Sequence, residues 1–258
     1  ICPVVWERDW PLFSPETGKL EWEYDAPEGL PWTEYQSVKE KEDFEDDKLD
    51  LCWNFWGTPY EKFYDIQNSK LKLQCIHQAL AEDIQPMKTN AEQEKNRFVS
   101  FLARRQQKVD VTVTCQMAFM PQNTESAGMA VVQAMNHQYH LERAIQDGRQ
   151  VVRLVQVTAD FDLQPYMPGF TSKTNREVIA ETAWNEKEIV LQIKMEHEKF
   201  TISYGKTKEK LAKLCIVDGR KINPEIVGCM VGTIVGMYAT GNGVDSENFA
   251  EFDWFEMI

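Results

Sequence analysis

The feature that most restricts this chain is a strict two-residue alternation over 109–119. Val109, Val111, Val113, Cys115, Met117 and Phe119 fall on one parity, and Asp110, Thr112, Thr114 and Gln116 on the other. Successive side chains of a strand point to opposite faces, so an extended strand sorts these residues into one apolar and one polar face. A helix would scatter them around its circumference. The pattern returns at 71–73, 151–157 and 189–195, and around Leu51, Trp53 and Phe55. Turn signals separate these runs: Gly57-Thr58-Pro59, Asn68-Ser69, Pro121-Gln122-Asn123, Asp147-Gly148, Asp218-Gly219 and Gly241-Asn242-Gly243. Many short strands at this spacing predict an all-β protein, a sandwich or jelly roll of antiparallel sheets. Helix evidence is thin. The stretch 78–97 allows a short turn, which Pro86 interrupts.

The 258 residues fit one large β domain, and 43% hydrophobic with 11% aromatic residues supply a core. Lysine and arginine number 28 against 41 acids, a net charge of -13. Nucleic acids and anionic membranes are bound by basic surfaces, so neither is expected as a partner. The longest nearly apolar run, 229–239, is too short to span a bilayer and carries Gly232 and Gly236. No basic segment followed by an apolar one appears in residues 1–30, so no signal peptide is in view. The six cysteines form no CxxC pair and resemble no zinc site. Several sit in apolar strand-like runs, where a thiol packs as a small hydrophobe. Reduced thiols favour a cytoplasmic setting over a secreted or periplasmic one.

Residues 1–36 stand apart. They hold four of the eight tryptophans (Trp6, Trp10, Trp22, Trp32) and prolines at 3, 11, 15, 27 and 31. Proline at that density forbids long helices, and tryptophan at that density needs a neighbour to cover it. The segment reads as an extended arm preceding a β domain at 37–258. Residues 39–50 are a charge run, read as a solvated surface connection.

Searches for chemistry return little. There is no GxSxG, HExxH, Walker or EF-hand motif. His137 and His140 are three apart, so on a strand they point to opposite faces and share no metal. In Arg104-Arg105-Gln106-Gln107, Arg105 shares a face with Phe101 and Ala103, and Arg104 shares the other with Gln106. One arginine is therefore aimed at the packed or concave side of its sheet. It is either a structural ion pair or carbonyl clamp, or a ligand contact. Trp53, Trp56, Tyr139 and Trp184 are core residues or stacking platforms for sugar rings.

Taken in order, several segments resemble one family. They are Pro3-Val4-Val5-Trp6 with Asp9-Trp10-Pro11, Trp53-Asn54-Phe55-Trp56, Phe101-Leu102-Ala103-Arg104-Arg105-Gln106-Gln107, Ala127-Gly128-Met129, Val231-Gly232-Thr233 and Phe252-Asp253-Trp254-Phe255. Across nearly the whole chain they resemble the C-terminal part of glycoside hydrolase family 43 enzymes of the β-xylosidase and α-L-arabinofuranosidase type. The resemblance implies a concanavalin A-like jelly-roll β-sandwich of two antiparallel sheets with an extended N-terminal arm. It also implies a five-bladed propeller, earlier in the same enzyme, that holds the catalytic carboxylates. Five blades need about 200–225 residues. Nothing of that length precedes the sandwich in this sequence, so no catalytic residue is carried over and the chain is expected to be inactive alone.

Further expectations follow from the resemblance. The sandwich shapes or shields a xylo- or arabino-oligosaccharide pocket on the propeller. Arg104, Arg105, Gln106 and Tyr139 are candidate carbohydrate or pocket contacts. Met230 stands where β-xylosidases place a pocket-rim phenylalanine, which leaves an arabinofuranosidase or another pentosidase open. The first strand after the charge run would lie beside the last strand, making Asp43, Asp46 and Asp253 candidate ligands of a structural Ca2+. No cofactor is otherwise required. Two other functions compete: a free-standing carbohydrate-binding module and a structural domain that forms homo-oligomers.

Overall fold

A computed structural model describes residues 2–31, 33–34, 38–59, 61–81, 98–159, 173–227 and 232–258. Two compact units are present, Ile1–Val38 and Lys39–Ile258.

The first unit is not simply extended. It contains a hairpin of β1 (Val4–Glu7) and β2 (Trp10–Phe13), with Glu7 opposite Trp10. Arg8 and Asp9 form its two-residue turn at φ of 50° and 65°. Both lie in the left-handed region that a right-twisted hairpin turn demands and that glycine occupies most easily. Beyond it, the Tyr24 hydroxyl ties the segment together, taking the Glu21 amide at 2.7 Å and meeting the Ser14 hydroxyl at 2.8 Å.

The second unit holds the other strands, in two antiparallel sheets. The seven-stranded sheet has the order β12-β11-β10-β9-β16-β7-β4. Its members are β4 (Asn54–Phe55), β7 (Phe101–Arg105), β9 (Ser126–Ala134), β10 (His137–Gln146), β11 (Arg149–Ala159), β12 (Thr174–Ala183) and β16 (Ile234–Thr240). The eight-stranded sheet has the order β15-β14-β13-β8-β17-β6-β5. It comprises β5 (Tyr64–Ile66), β6 (Leu71–Gln74), β8 (Val111–Ala118), β13 (Glu188–Glu196), β14 (Lys199–Gly205), β15 (Leu211–Asp218) and β17 (Phe249–Met257). A two-residue strand, β3 (Lys41–Glu42), also pairs with β17. A short 3-10 turn (Gly219–Ile222) and one helical turn, α1 (Pro224–Val227), precede β16. No helix is long and apolar enough to cross a membrane, among the described residues.

The alternation in the sequence explains the core. Val113, Cys115 and Met117 of β8 and Leu191, Ile193 and Met195 of β13 face Met129 and Val131 of β9, Leu141 of β10 and Met237 of β16. Each such side chain is fully buried, which stabilises by about 1.5–3 kcal/mol apiece for the larger ones. The opposite parity of β8 meets solvent or polar partners; Gln116 accepts from the Trp254 indole at 3.0 Å. Asp147-Gly148 and Asn68-Ser69 close hairpins with both residues at positive φ, as their composition predicts.

Two expectations are corrected here. The charge run at 39–50 is not merely solvated: Glu42 and Phe44 are buried. The strand beside the last one lies inside that run, with Glu42 opposite Phe255, while the first strand after it, β4, joins the other sheet beside β7. Backbone pairing to β17 draws the run in, and Phe44 packs its ring toward Trp53 with centroids 6.2 Å apart.

Candidate functional site

The arginine pair resolves cleanly. Arg104 is the buried one and Arg105 is exposed. β7 turns Leu102 and Arg104 toward the space between the sheets, where the guanidinium lies 4.5 Å over the Trp53 ring and 5.7 Å from that of Phe255. Its Nη1 donates to the Lys39 carbonyl at 2.6 Å, and Glu42 sits 4.0 Å away. Arg104 is thus a carbonyl clamp and cation–π plug that holds the start of the sandwich unit. Its Nε and Nη2, and the Trp53 Nε1, are buried donors with no acceptor among the described residues.

Gln106 closes a turn, donating through Nε2 to the Lys108 carbonyl at 2.9 Å. Its backbone amide binds the Thr233 carbonyl at 3.0 Å, and the Thr233 hydroxyl donates to Gln133 at 2.7 Å. Arg105 lies opposite Ile234 at this same strand end. Arg105 and Gln106 therefore share one end of the seven-stranded sheet with Thr233. Met230 lies outside the described residues. Tyr139 does not join them. It is fully buried, edge-on to Phe200, and its hydroxyl reaches the Asp218 carbonyl at 2.9 Å and Gln156 at 3.2 Å. Burial raises its phenol well above the ordinary value. Trp53 and Tyr139 are core side chains, and stacking on a sugar is closed to them.

The three acids considered for Ca2+ are not brought together. Asp43 pairs with Lys39 at 3.4 Å and Asp253 with Lys70 at 3.4 Å, while Asp46 is exposed in the loop beyond β3. An ammonium beside two of the three carboxylates repels a cation, so this set does not fit a calcium ion. No group of three metal-ligating side chains forms among the described residues.

A second buried polar cluster was not singled out from the sequence. On the outer face of the seven-stranded sheet, Glu142 is fully buried and accepts from Arg153 Nε at 2.8 Å and Nη2 at 2.7 Å, and from the Tyr238 hydroxyl. Burial alone would push the Glu142 carboxyl up; Arg153 opposes it, and the net direction is down. Beside it His140 donates through Nε2 to Gln138 Oε1 at 2.6 Å, and its buried Nδ1 has no partner among the described residues. Gln138 itself donates to the Leu80, Ala134 and Met135 carbonyls, so its oxygen faces His140 and Nε2 carries the proton. Burial holds the imidazole down to about 3. The signal was available: with Asp147 and Gly148 as the two loop residues, hairpin counting sets Glu142 opposite Arg153.

Chemically, the buried carboxylates among the described residues are all committed. Glu42 accepts from the Phe44 amide at 3.1 Å, Glu125 from the Gln122 amide at 2.9 Å and Asn248 at 2.7 Å, and Glu142 from Arg153. A glycosidase needs two acids facing each other across an open cleft, about 5–9.5 Å apart depending on stereochemistry. These three acids instead hold loops and strands together. Architecture and committed polar groups define a sandwich of the concanavalin A-like class.

The comparison with known proteins specifies it further. The chain belongs to the β-xylosidase C-terminal concanavalin A-like domains of glycoside hydrolase family 43, whose family model matches residues 41–258. It is 26% identical over 262 residues to the non-reducing end alpha-L-arabinofuranosidase BoGH43B of Bacteroides ovatus, covering 99% of this chain and 44% of that protein. A xylosidase/arabinosidase of Butyrivibrio fibrisolvens is 25% identical over 260 residues, covering 99% and 45%. The crystal structure of xylan beta-1,4-xylosidase from Bacillus halodurans C-125 superposes with a TM-score of 0.78 at 18% identity, covering 99% of this chain and 46% of that one, a likeness of fold. The chain thus spans less than half the length of the relatives it matches.

Proposed function

We propose that this chain is the accessory sandwich of a pentosidase of the β-xylosidase or α-L-arabinofuranosidase type, inactive alone, which shapes or shields the pocket of a catalytic propeller in the same enzyme. The observation that carries the reading is the hairpin of the first unit. Trp6 and Trp10 are 69% and 71% exposed there, with Val5 and Phe13 beside them. A two-stranded hairpin is marginal in water, and one that leaves two indoles in solvent is built to be covered. Relatives more than twice as long, matched by nearly the whole of this chain, contain the additional chain that a covering domain requires.

The test is turnover and association. Clean protein is expected to hydrolyse neither nitrophenyl xyloside nor nitrophenyl arabinofuranoside, and robust turnover that tracks with the purified chain would overturn the reading. A propeller fragment supplied in trans should bind it, and Trp6→Ser with Trp10→Ser should weaken that association at least about tenfold. Sedimentation that instead shows a stable homodimer, abolished by the same substitutions, would assign the hairpin to self-association.

A further inference from the structure

The sandwich unit has one exposed aromatic ring among the described residues, and it is none of the four anticipated from sequence. Phe249, at the start of β17, is 47% exposed. It lies opposite Gln74 of β6, on the outer face of the eight-stranded sheet. Two hollows meet there. One, about 310 Å3, is lined by Phe249, Gln74, Lys72, Asp65 and Gln67, among others. The second, about 570 Å3, runs past His77, Gln78, Glu61, Asp245 and Glu247. Lys62, Phe63 and Gln74 line both, so the two hollows adjoin and make a groove along the β5–β6 edge, with Phe249 in the smaller one.

The groove is held by its backbone. Gly241 and Gly243 donate to the Ile76 and His77 carbonyls at 2.7 and 2.8 Å, and the Cys75 amide binds the Asn248 carbonyl at 2.9 Å. Asn248 is fixed in turn by the buried Glu125 carboxylate and by the Met120 carbonyl at 3.0 Å, and its Oδ1 takes the Phe249 amide at 2.9 Å. The backbone that carries the ring is therefore preorganised, which lowers the entropy lost on binding.

Charge selects the ligand. Lys62 is neutralised by Asp65 at 3.0 Å and Lys72 by Glu251 at 3.3 Å. Among the described residues, the remaining acids of the groove, Glu61, Asp245 and Glu247, face no lysine or arginine partner; the His77 imidazole lies 3.6 Å from Asp245. An anion is repelled by this set. Carboxylates and amides beside an exposed ring suit a ligand with many hydroxyl donors and an apolar C–H face. We propose that the groove binds a neutral oligosaccharide chain, with Phe249 stacking on a sugar ring and Gln74, Gln78 and the flanking acids taking hydroxyls. The inference rests on the reading above only in the choice of pentose chains as probes.

The experiment is calorimetry of the whole chain with xylohexaose and with an arabinan hexasaccharide. Saturable binding to at least one is expected. Phe249→Ala should weaken it at least about fivefold, while Ile216→Ala, an exposed residue on the opposite edge strand β15, should leave it unchanged. Amide shifts on binding should centre on Phe249 and Gln74. No heat with either sugar at millimolar concentration, equal binding by the Phe249 variant, or binding of either neutral sugar abolished by high sodium chloride, which stacking and hydroxyl contacts do not predict, would each overturn the proposal. Failure here is distinct from failure of the accessory-domain reading. A chain that hydrolyses pentosides yet binds through Phe249 loses that reading and keeps this site; one silent in both assays loses this site alone.

Discussion

Protonation of His140 should dominate the onset of acid unfolding. The side chain is 1% exposed, its ring centroid lies 5.2 Å from that of Tyr238, and Nε2 is committed to Gln138. Burial depresses its pKa to about 3, with Arg176 and Arg153 pushing the same way and Glu142 opposing. In the unfolded chain the imidazole titrates near its usual ~6.5. As pH falls, the unfolded state therefore takes the proton first. The stabilising effect of a neutral His140 is complete above about pH 6.5 and is lost progressively toward the folded value. Between pH 7 and pH 5 the loss is about 2 kcal/mol, and it depends little on how far below 5 the folded pKa lies. Glu142 acts in the same direction, but its contribution is lost only as pH drops through the ordinary carboxylate range. His137, also lowered by burial, is common to both proteins compared. The assay is urea unfolding of wild type and His140→Gln at pH 7, 6 and 5, since glutamine can donate to Gln138 without titrating. Wild type should lose about 2 kcal/mol more than the variant across that range. Parallel curves, agreeing within about 0.5 kcal/mol, would refute the argument that the imidazole is folded as a neutral group.

Two further substitutions probe the fold. Arg104→Ala removes the clamp on Lys39 and the cation over Trp53 and leaves Glu42 buried without its guanidinium; the urea midpoint should fall by the equivalent of about 2–4 kcal/mol, and Arg104→Lys should recover less than half. Gly236→Ala places a methyl 2.1 Å from the Leu102 carbonyl and 2.4 Å from the Ala103 Cα, atoms of the neighbouring strand that cannot swing away. Its melting temperature should drop by the equivalent of about 3 kcal/mol or more, whereas Gly232→Ala, which meets nothing within 4 Å among the described residues, should be near neutral.

Much of the fold was legible because strand alternation and turn chemistry are local. The parity of Val111 to Met117 and the Asp147-Gly148 turn do not depend on which sheet receives them. The parity argument also separated Arg104 from Arg105 correctly. It could not say which face was inner, because Leu102 and Ala103 are equally apolar and both faces of β7 are buried. The charge run misled for a related reason. Glu42 and Phe44 are buried by pairing with a strand more than 200 residues later, and local polarity carries no trace of that partner. Tryptophans were weighed as sugar platforms by residue type, yet Trp53 is core, and the exposed ring of the sandwich unit, among the described residues, is Phe249, at the start of β17.

The chain's own residues therefore decide that it is all-β, where most strands and hairpins fall, and that Glu142 must meet Arg153, since neighbours across a tight turn are set by counting. What only the assembled sandwich decides is which charges are buried and which rings remain in water. That depends on how two sheets stack and what crosses their outer faces, and desolvation, unlike alternation, is a property of distant neighbours.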